Sequence, residues 1–268
     1  MRAGRLVGAV LWLYVGCVFA FIFLPIVTSF VVSLNADRFP TLPLGGFSLR
    51  WYQEIAADPT LLPAIRNTLV AGVCAAALST LLGFGAAYAD FRYHFFGKSV
   101  YLALALLPPT IPVVILGLAM LVFLSQISLF GTLHSVIISH VVLCLPFAMA
   151  LVRLRLSQMD PSLEAAAWNL GASQWRALRE VILPFTLPAI LSALFITMAV
   201  SFDEFAIAWF VSGFNETLPV RILAMFQGQV SPRINAIGSI VFTVTMTLVI
   251  VSQLILIARR PRQAQLAR

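Results

Sequence analysis

Two adjacent carboxylates, Asp203 and Glu204, stand inside the apolar stretch Ser201-Phe202-Asp203-Glu204-Phe205. On insertion scales each acid would cost about 2.5–3.5 kcal/mol at a bilayer centre, so they must face protein, water or a cation. Neighbouring helical residues point about 100° apart, which leaves one carboxylate for a pathway. Phe202, Phe205, Trp209 and Phe210 surround the pair. Acids beside aromatic faces suit an organic cation, through charge and cation–π attraction. Pairing with an arginine (Arg221, or one on a partner subunit) and plain aromatic packing account for the same residues. No catalytic set accompanies the acids. His94, His134 and His140 are scattered, and Cys17, Cys74 and Cys144 lie in apolar runs without disulfide or metal-ligand spacing. Neither a metal nor a cofactor is expected. Tyr14-Val15-Gly16-Cys17 has the outline of a lipoprotein cleavage box, but its apolar run continues to Val32, too long for a signal-peptide core. Gly97-Lys98-Ser99 mimics the end of a phosphate-binding loop; the glycine required five positions before Gly97 is Arg92, and no strand precedes it. The chain has no ATP site of that kind.

The elements that must position these residues follow from composition. Of the 268 residues 61% are hydrophobic and 10% charged, with a mean hydropathy of +0.99. A soluble domain carries roughly 25% charged residues, so this chain needs lipid as solvent. Apolar runs of about 20 residues predict six transmembrane helices, at 6–34, 62–89, 100–124, 135–152, 187–211 and 236–258. The reading is an all-α polytopic membrane protein with one domain, 1–268. Twelve of the 17 basic residues fall on one side: Arg2, Arg5, Arg92, Lys98, Arg153, Arg155, Arg176, Arg179, Arg259, Arg260, Arg262 and Arg268. Arg38, Arg50, Arg66, Arg221 and Arg233 fall on the other. The positive-inside rule then places both termini in the cytoplasm. The net charge of +7 is a topology signal and not a nucleic-acid footprint. Asp203 lies about 15 residues, roughly 22 Å, beyond Pro188, in the outer half of the fifth span. The largest external loop is 35–61; its Phe47–Tyr52 stretch offers Trp51 and Tyr52 for headgroup depth or for an external partner. Pro108, Pro109 and Pro112 predict a kinked third span packed among neighbours.

Between the fourth and fifth spans the chain turns polar: Leu-Glu-Ala-Ala-Ala-Trp-Asn-Leu-Gly-Ala-Ser-Gln-Trp-Arg, from Leu163 to Arg176, within a cytoplasmic loop at 155–186. Asp160-Pro161 is a helix start, a capping carboxylate followed by proline at the first helical position. Leu163, Ala166, Ala167 and Leu170 recur at helical spacing and form one apolar stripe. Gly171 ends that helix. Ser173 caps a second, on which Trp175, Leu178 and Ile182 repeat, and Leu183-Pro184 and Pro188 close it before the fifth span. Apolar faces on a cytosolic hairpin must be buried, either on the bundle's own cytoplasmic end or on a partner.

This segment resembles the EAA loop of permease subunits in binding-protein-dependent ABC importers, whose pattern is Glu-Ala-Ala, then Gly, then an aliphatic residue before Leu-Pro. Ala166-Ala167, Gly171, Val181 and Leu183-Pro184 keep that register. The glutamate position falls on Ala165, with Glu164 one residue earlier. The resemblance implies that Leu163, Glu164, Ala165, Ala166, Ala167, Leu170, Gly171, Ala172, Trp175 and Arg176 form a coupling helix in a cleft of a cytoplasmic ATPase dimer. Further along, Ser201–Gly213 and Leu218–Ile240 are similar to the last two spans of spermidine/putrescine permeases of the second-subunit type, and Gly46–Pro59 shares their flavour. That likeness covers nearly the whole chain.

The likeness implies a type I importer (MetI-like) transmembrane domain in a bacterial inner membrane, paired with a second, different permease. An external binding protein would deliver a polyamine, with Asp203 and Glu204 contacting the cation and Phe202 and Trp209 as walls. Opines and amino-acid derivatives are the alternative substrates within the same architecture. Hydrolysis would belong to the ATPase subunit, so the chain is no enzyme. A channel-like or structural protein would need no docking hairpin, and an intramembrane enzyme would need a convergent set of His, Asp, Glu or Ser side chains.

Overall fold

The computed structural model describes residues 2–39, 44–228 and 231–258. Among them no β-strand forms, and one isolated bridge joins Asn35 to Phe47. The helices are α1 (Arg2–Ser33), α2 (Arg50–Ala57), α3 (Leu61–Arg92), α4 (Lys98–Leu106), α5 (Val113–Gln126), α6 (Leu133–Leu156), α7 (Pro161–Asn169), α8 (Gln174–Ala177), α9 (Leu183–Asp203), α10 (Ala206–Val211), α11 (Leu218–Gly228) and α12 (Pro232–Ala258). A helix satisfies its backbone within itself, which is what an apolar chain in lipid requires. Five stretches are long and apolar enough to cross a membrane: Val7–Ser33, Leu61–Arg92, Leu133–Leu156, Gln174–Asp203 and Pro232–Ile257. The protein is an all-α polytopic membrane protein. Arg259, Arg260, Arg262 and Arg268, counted above as inward charge, lie outside the described residues.

The third expected span, 100–124, is not one helix. α4 stops at Leu106, a 3-10 turn occupies Pro108–Thr110, and α5 begins at Val113. Three prolines remove three backbone donors here, and the freed groups find local partners. The Thr110 amide and hydroxyl both donate to the Leu107 carbonyl, at 2.9 and 2.7 Å, and the Ile111 amide donates to the Pro108 carbonyl at 3.2 Å. The proline cluster therefore gives a complete break where a kink was expected.

The opposite correction applies at Pro184 and Pro188, which were expected to close the hairpin's second helix. α8 instead runs through a π-helical turn, Leu178–Ile182, straight into α9, giving one helical stretch from Gln174 to Asp203. In a regular α-helix the Pro184 ring would strike the carbonyl four residues back. The wider turn, in which the Leu183 amide reaches the Leu178 carbonyl, relieves that clash. The same span ends short of Val211, because the helix breaks at Glu204 and Phe205 before α10.

The described chain falls into two compact units, one drawn from Met1–Leu62 and Ile222–Thr243, the other from Pro63–Arg221 and Val244–Arg268. In the first, the Trp51 indole is 3% exposed and donates to the Asn35 carbonyl at 2.6 Å, so it does not serve as a headgroup anchor. Tyr52 and Ser33 share a hydrogen bond of 2.8 Å. Asp58 accepts from the Thr60 amide and hydroxyl, both at 2.7 Å, and pairs with Arg233. In the second, α6 packs along α9 with small and polar residues buried on both helices, and His140 meets Ser201 while the Cys144 thiol lies 3.6 Å from the Thr197 carbonyl. Small side chains let membrane helices approach closely, and their hydroxyls bond to the helix itself: the Thr197 hydroxyl donates to the Ala193 carbonyl at 2.8 Å. α10 packs on α5, burying Ile207, Ala208 and Val211 against Leu116, Met120 and Leu124.

Candidate functional site

The hairpin between α6 and α9 forms as its local signals dictate. The Asp160 carboxylate accepts from the Ser162 amide at 2.9 Å with Pro161 at the first helical position. That backbone hydrogen bond, together with the Ser162 side chain, holds the Asp160 carboxyl below its usual range. α7 closes in a Schellman motif: the Gly171 amide donates to the Trp168 carbonyl at 2.8 Å and the Ala172 amide to the Ala167 carbonyl at 3.0 Å. Gly171 has φ +81°, a conformation that any side chain disfavours. Ser173 caps α8 by accepting from the Arg176 amide at 3.3 Å.

The apolar stripe of α7 and Trp175 of α8 do not cover the bundle, whereas Leu178 and Ile182 pack into a buried cluster with Met149, Val152 and Leu156. Leu170 is 89% and Trp175 70% exposed, and Leu163, Ala165, Ala166, Gly171 and Arg176 are exposed as well, with Ala167 and Ala172 half-buried. Among the described residues Arg176 pairs with Glu180 one turn on, at 3.6 Å and exposed, a contact of little energetic weight. Glu164 points the other way. It is 8% exposed, lies 3.3 Å from the Arg92 guanidinium at the end of α3, and that guanidinium also sits 4.7 Å from the Trp168 ring centre.

Two residues before Arg92, Asp90 gathers a second set of charges. Its carboxylate lies 2.6 Å from Arg153 of α6 and 3.2 Å from Lys98, which also donates to the Asp90 backbone carbonyl. Arg155 donates to the Phe185 carbonyl at 3.1 Å with its guanidinium 4.1 Å over the Phe185 ring. Sequence reading treated Arg92, Lys98, Arg153 and Arg155 only as topology charges. Asp90, a lone acid at the end of an apolar run that pairs with two of them, Lys98 and Arg153, was the signal that could have found the cluster.

At the intramembrane acids the structure separates what adjacency had joined. Glu204 has left the helical conformation, and its carboxylate accepts from the Ile207 amide at 2.7 Å, capping α10. Asp203 is exposed. Among the described residues neither acid is in an ion pair; Arg221 lies 3.5 Å from Glu216 instead. Phe202 is buried against Gly72 of α3, where an added Cβ would overlap the ring, so it packs and does not line an open surface. Trp209 is part-exposed and tilts against Phe205 with ring centres 5.8 Å apart. His140, which sequence reading set aside, is fully buried; its Nδ1 lies 2.7 Å from the Ser201 hydroxyl, two residues from Asp203. Nothing in its local sequence marks that pairing.

With this geometry in hand, comparison with known proteins is specific. The chain is 32% identical over 239 residues to the spermidine/putrescine transport system permease protein PotC of Haemophilus influenzae, covering 89% of this chain and 93% of that one. It is 30% identical to the putrescine transport system permease protein PotI of Escherichia coli K12, covering 83% and 82%. A chain of a bacterial ABC transporter that imports alginate shares its fold with TM-score 0.73 at 15% identity, covering 97% of this chain and 98% of that one. A chain of the MetNI methionine ABC transporter does so at TM-score 0.58 and 21% identity, covering 74% and 92%. Residues 60–262, which hold both the hairpin and the broken span, match one family throughout, and the chain belongs to it: the binding-protein-dependent transport system inner membrane components.

Proposed function

We propose that this chain is one of two permease subunits of a type I ABC importer for a polyamine, its single permease domain in the inner membrane with both termini cytoplasmic. The α7–α8 hairpin docks in a cytoplasmic ATPase, an external binding protein delivers the substrate, and Asp203 contacts the cation. The observation that carries this reading is the outward-facing apolar surface of a well-capped hairpin, Leu163, Leu170 and Trp175, with its one buried acid turned inward onto Arg92. Apolar surface held in water by a rigid turn is the signature of a docking face. The polyamine assignment is supported by the likeness to PotC and PotI and by an exposed Asp203 with no cationic partner among the described residues. A dication carries its charge in ammonium groups that a carboxylate and a nearby indole satisfy together. Trp209, six residues on and beyond the break, supplies that ring.

ATP hydrolysis belongs to the docked subunit, and the permease contributes a bistable path that ATPase closure biases. Copurification tests the docking: the wild-type chain should hold the ATPase in detergent, whereas Leu170→Asp with Trp175→Asp should release it while membrane insertion persists. Retention of the ATPase by that double variant would remove the hairpin from the interface. Vesicle uptake of labelled putrescine, competed by spermidine and by neutral amino acids, tests the substrate.

A further inference from the structure

We propose that α3 is a second transmission rod, read at one end by Arg92 and delivering at the other through Gly72 to the broken span beside Asp203. The proposal rests on the docking reading above and adds a path to it. α7 is joined to the fifth span covalently, because α8, the π turn and α9 form one helix from Gln174 to Asp203. α7 is also joined to α3, and not by covalent chain. Glu164 is the buried acid of α7, and its partner is the Arg92 guanidinium in the last turn of α3, 3.3 Å away. Trp168, one helical turn beyond Glu164, holds the same guanidinium by its ring at 4.7 Å. Two contacts from one helix on one cation fix its position in a way that a lone surface pair would not.

From Arg92 the helix runs unbroken to Gly72, twenty residues or roughly 30 Å away. At Gly72 the missing side chain lets the Phe202 ring lie directly on the backbone, so that a shift of α3 meets Phe202 with no slack. Phe202 immediately precedes Asp203 and the break at Glu204. The two rods therefore leave the hairpin together and meet again where the acids stand. Lateral slippage of α3 is limited by Asp90, which ties the same last turn to Arg153 of α6 and to Lys98 at the start of α4. Between distant sites coupling is carried by stiff helices and fixed contacts, and α3 has polar ones at Asp90 and Arg92 and a close apolar one at Gly72. Arg92 is a positioning residue here: it touches neither ATP nor substrate.

The experiment uses the assembled transporter with its ATPase and a Leu69→Cys reporter on the exposed face of α3 near Gly72, in a background with Cys17, Cys74 and Cys144 changed to serine. A nitroxide is attached to the reporter in detergent, a non-hydrolysable ATP analogue closes the ATPase without any substrate, and the collision rate of the label with dissolved oxygen, which lipid does not exclude, is read before and after. The wild-type pair Arg92 and Glu164 should give an ATP-dependent change of about tenfold. Arg92→Ala should keep the ATPase bound yet lose that change, and Arg92→Glu combined with Glu164→Arg should restore it. Should Arg92→Ala fail to insert, the two single reversals and their combination carry the test alone. A wild-type response in Arg92→Ala, or no response at Leu69→Cys in an otherwise wild-type complex holding its ATPase, overturns the rod and leaves the docking reading standing. A wild-type chain that holds no ATPase overturns both.

Discussion

The α7–α8 hairpin and the break at Ser201–Phe205 both carry an acid beside a change of chain direction, and they use it oppositely. In the hairpin the turn is made by the backbone alone, through Gly171 and its two Schellman bonds, which leaves Glu164 free to reach Arg92 of another helix. In the broken span the turn itself consumes an acid: Glu204 caps α10 and only Asp203 remains uncommitted. A carboxylate is thus functional or structural according to whether glycine has already satisfied the local backbone. Both regions nevertheless leave side chains exposed, Leu163, Leu170 and Trp175 in the hairpin and Asp203 at the break, and those groups are where partners would act.

The strongest way to break the comparison is to remove the hairpin's backbone solution. Gly171→Pro loses the 2.8 Å bond to Trp168 and forbids φ +81°, a strain of roughly 1–3 kcal/mol or more, in a place where no neighbouring atom would be displaced. Uptake in vesicles should fall to background with membrane insertion unchanged; normal uptake would show that the turn has no coupling role. The next test separates the two neighbouring acids. Asp203→Asn should weaken uptake of putrescine about tenfold, the loss of a charge-assisted contact of roughly 1.5 kcal/mol. Glu204→Gln should be nearly silent, because its amide oxygen still accepts from the Ile207 amide, whereas Glu204→Ala should cost about 1 kcal/mol of stability. Equal losses from both conservative changes would restore Glu204 to the pathway.

A smaller effect sharpens the contact between the two helices that meet at the break. Gly72→Ala should destabilise by about 1–3 kcal/mol through overlap with Phe202, and Phe202→Leu should relieve part of it in a double-mutant thermal series. Additive losses would mean that the ring moves aside freely. The smallest effect lies at Asp58, which belongs to the other compact unit. Hydrogen bonds from Thr60, with the Arg233 ion pair, hold the Asp58 carboxyl below its ordinary value. A depressed carboxylate contributes stability above its unfolded value of about 3.9 and loses it as the pH falls toward the folded one. Proteolysis of the α2 region should therefore accelerate below about pH 4 in the wild type. In Asp58→Asn it should be faster at neutral pH and flatter on acidification; an identical acid profile would refute the pairing.

How much was legible depended on how far each interaction reaches along the chain. The caps at Asp160, Ser173 and Gly171 were readable because donor and acceptor lie within five residues, so sequence and contact are nearly the same thing. The prolines misled in both directions. At Pro108–Pro112 the chain stops because no side chain or turn lets the helix continue; at Pro184 it continues because one widened turn accommodates the ring. The proline ring and missing donor are the same in the two places; at Pro184 the widened turn carries Ile182, which is buried in the cluster with Met149, Val152 and Leu156.

The amino-acid sequence by itself determined that this chain lives in lipid and that a capped hairpin interrupts its spans, since solvent transfer and local hydrogen bonding depend on composition and near neighbours alone. Only the tertiary structure decided which acid is spoken for: Glu164 by Arg92, Glu204 by the Ile207 amide, Asp90 by Arg153, and the His140 ring by Ser201. A carboxylate or imidazole accepts any donor that packing brings within about 3 Å, and packing of distant helices is a property of the whole chain.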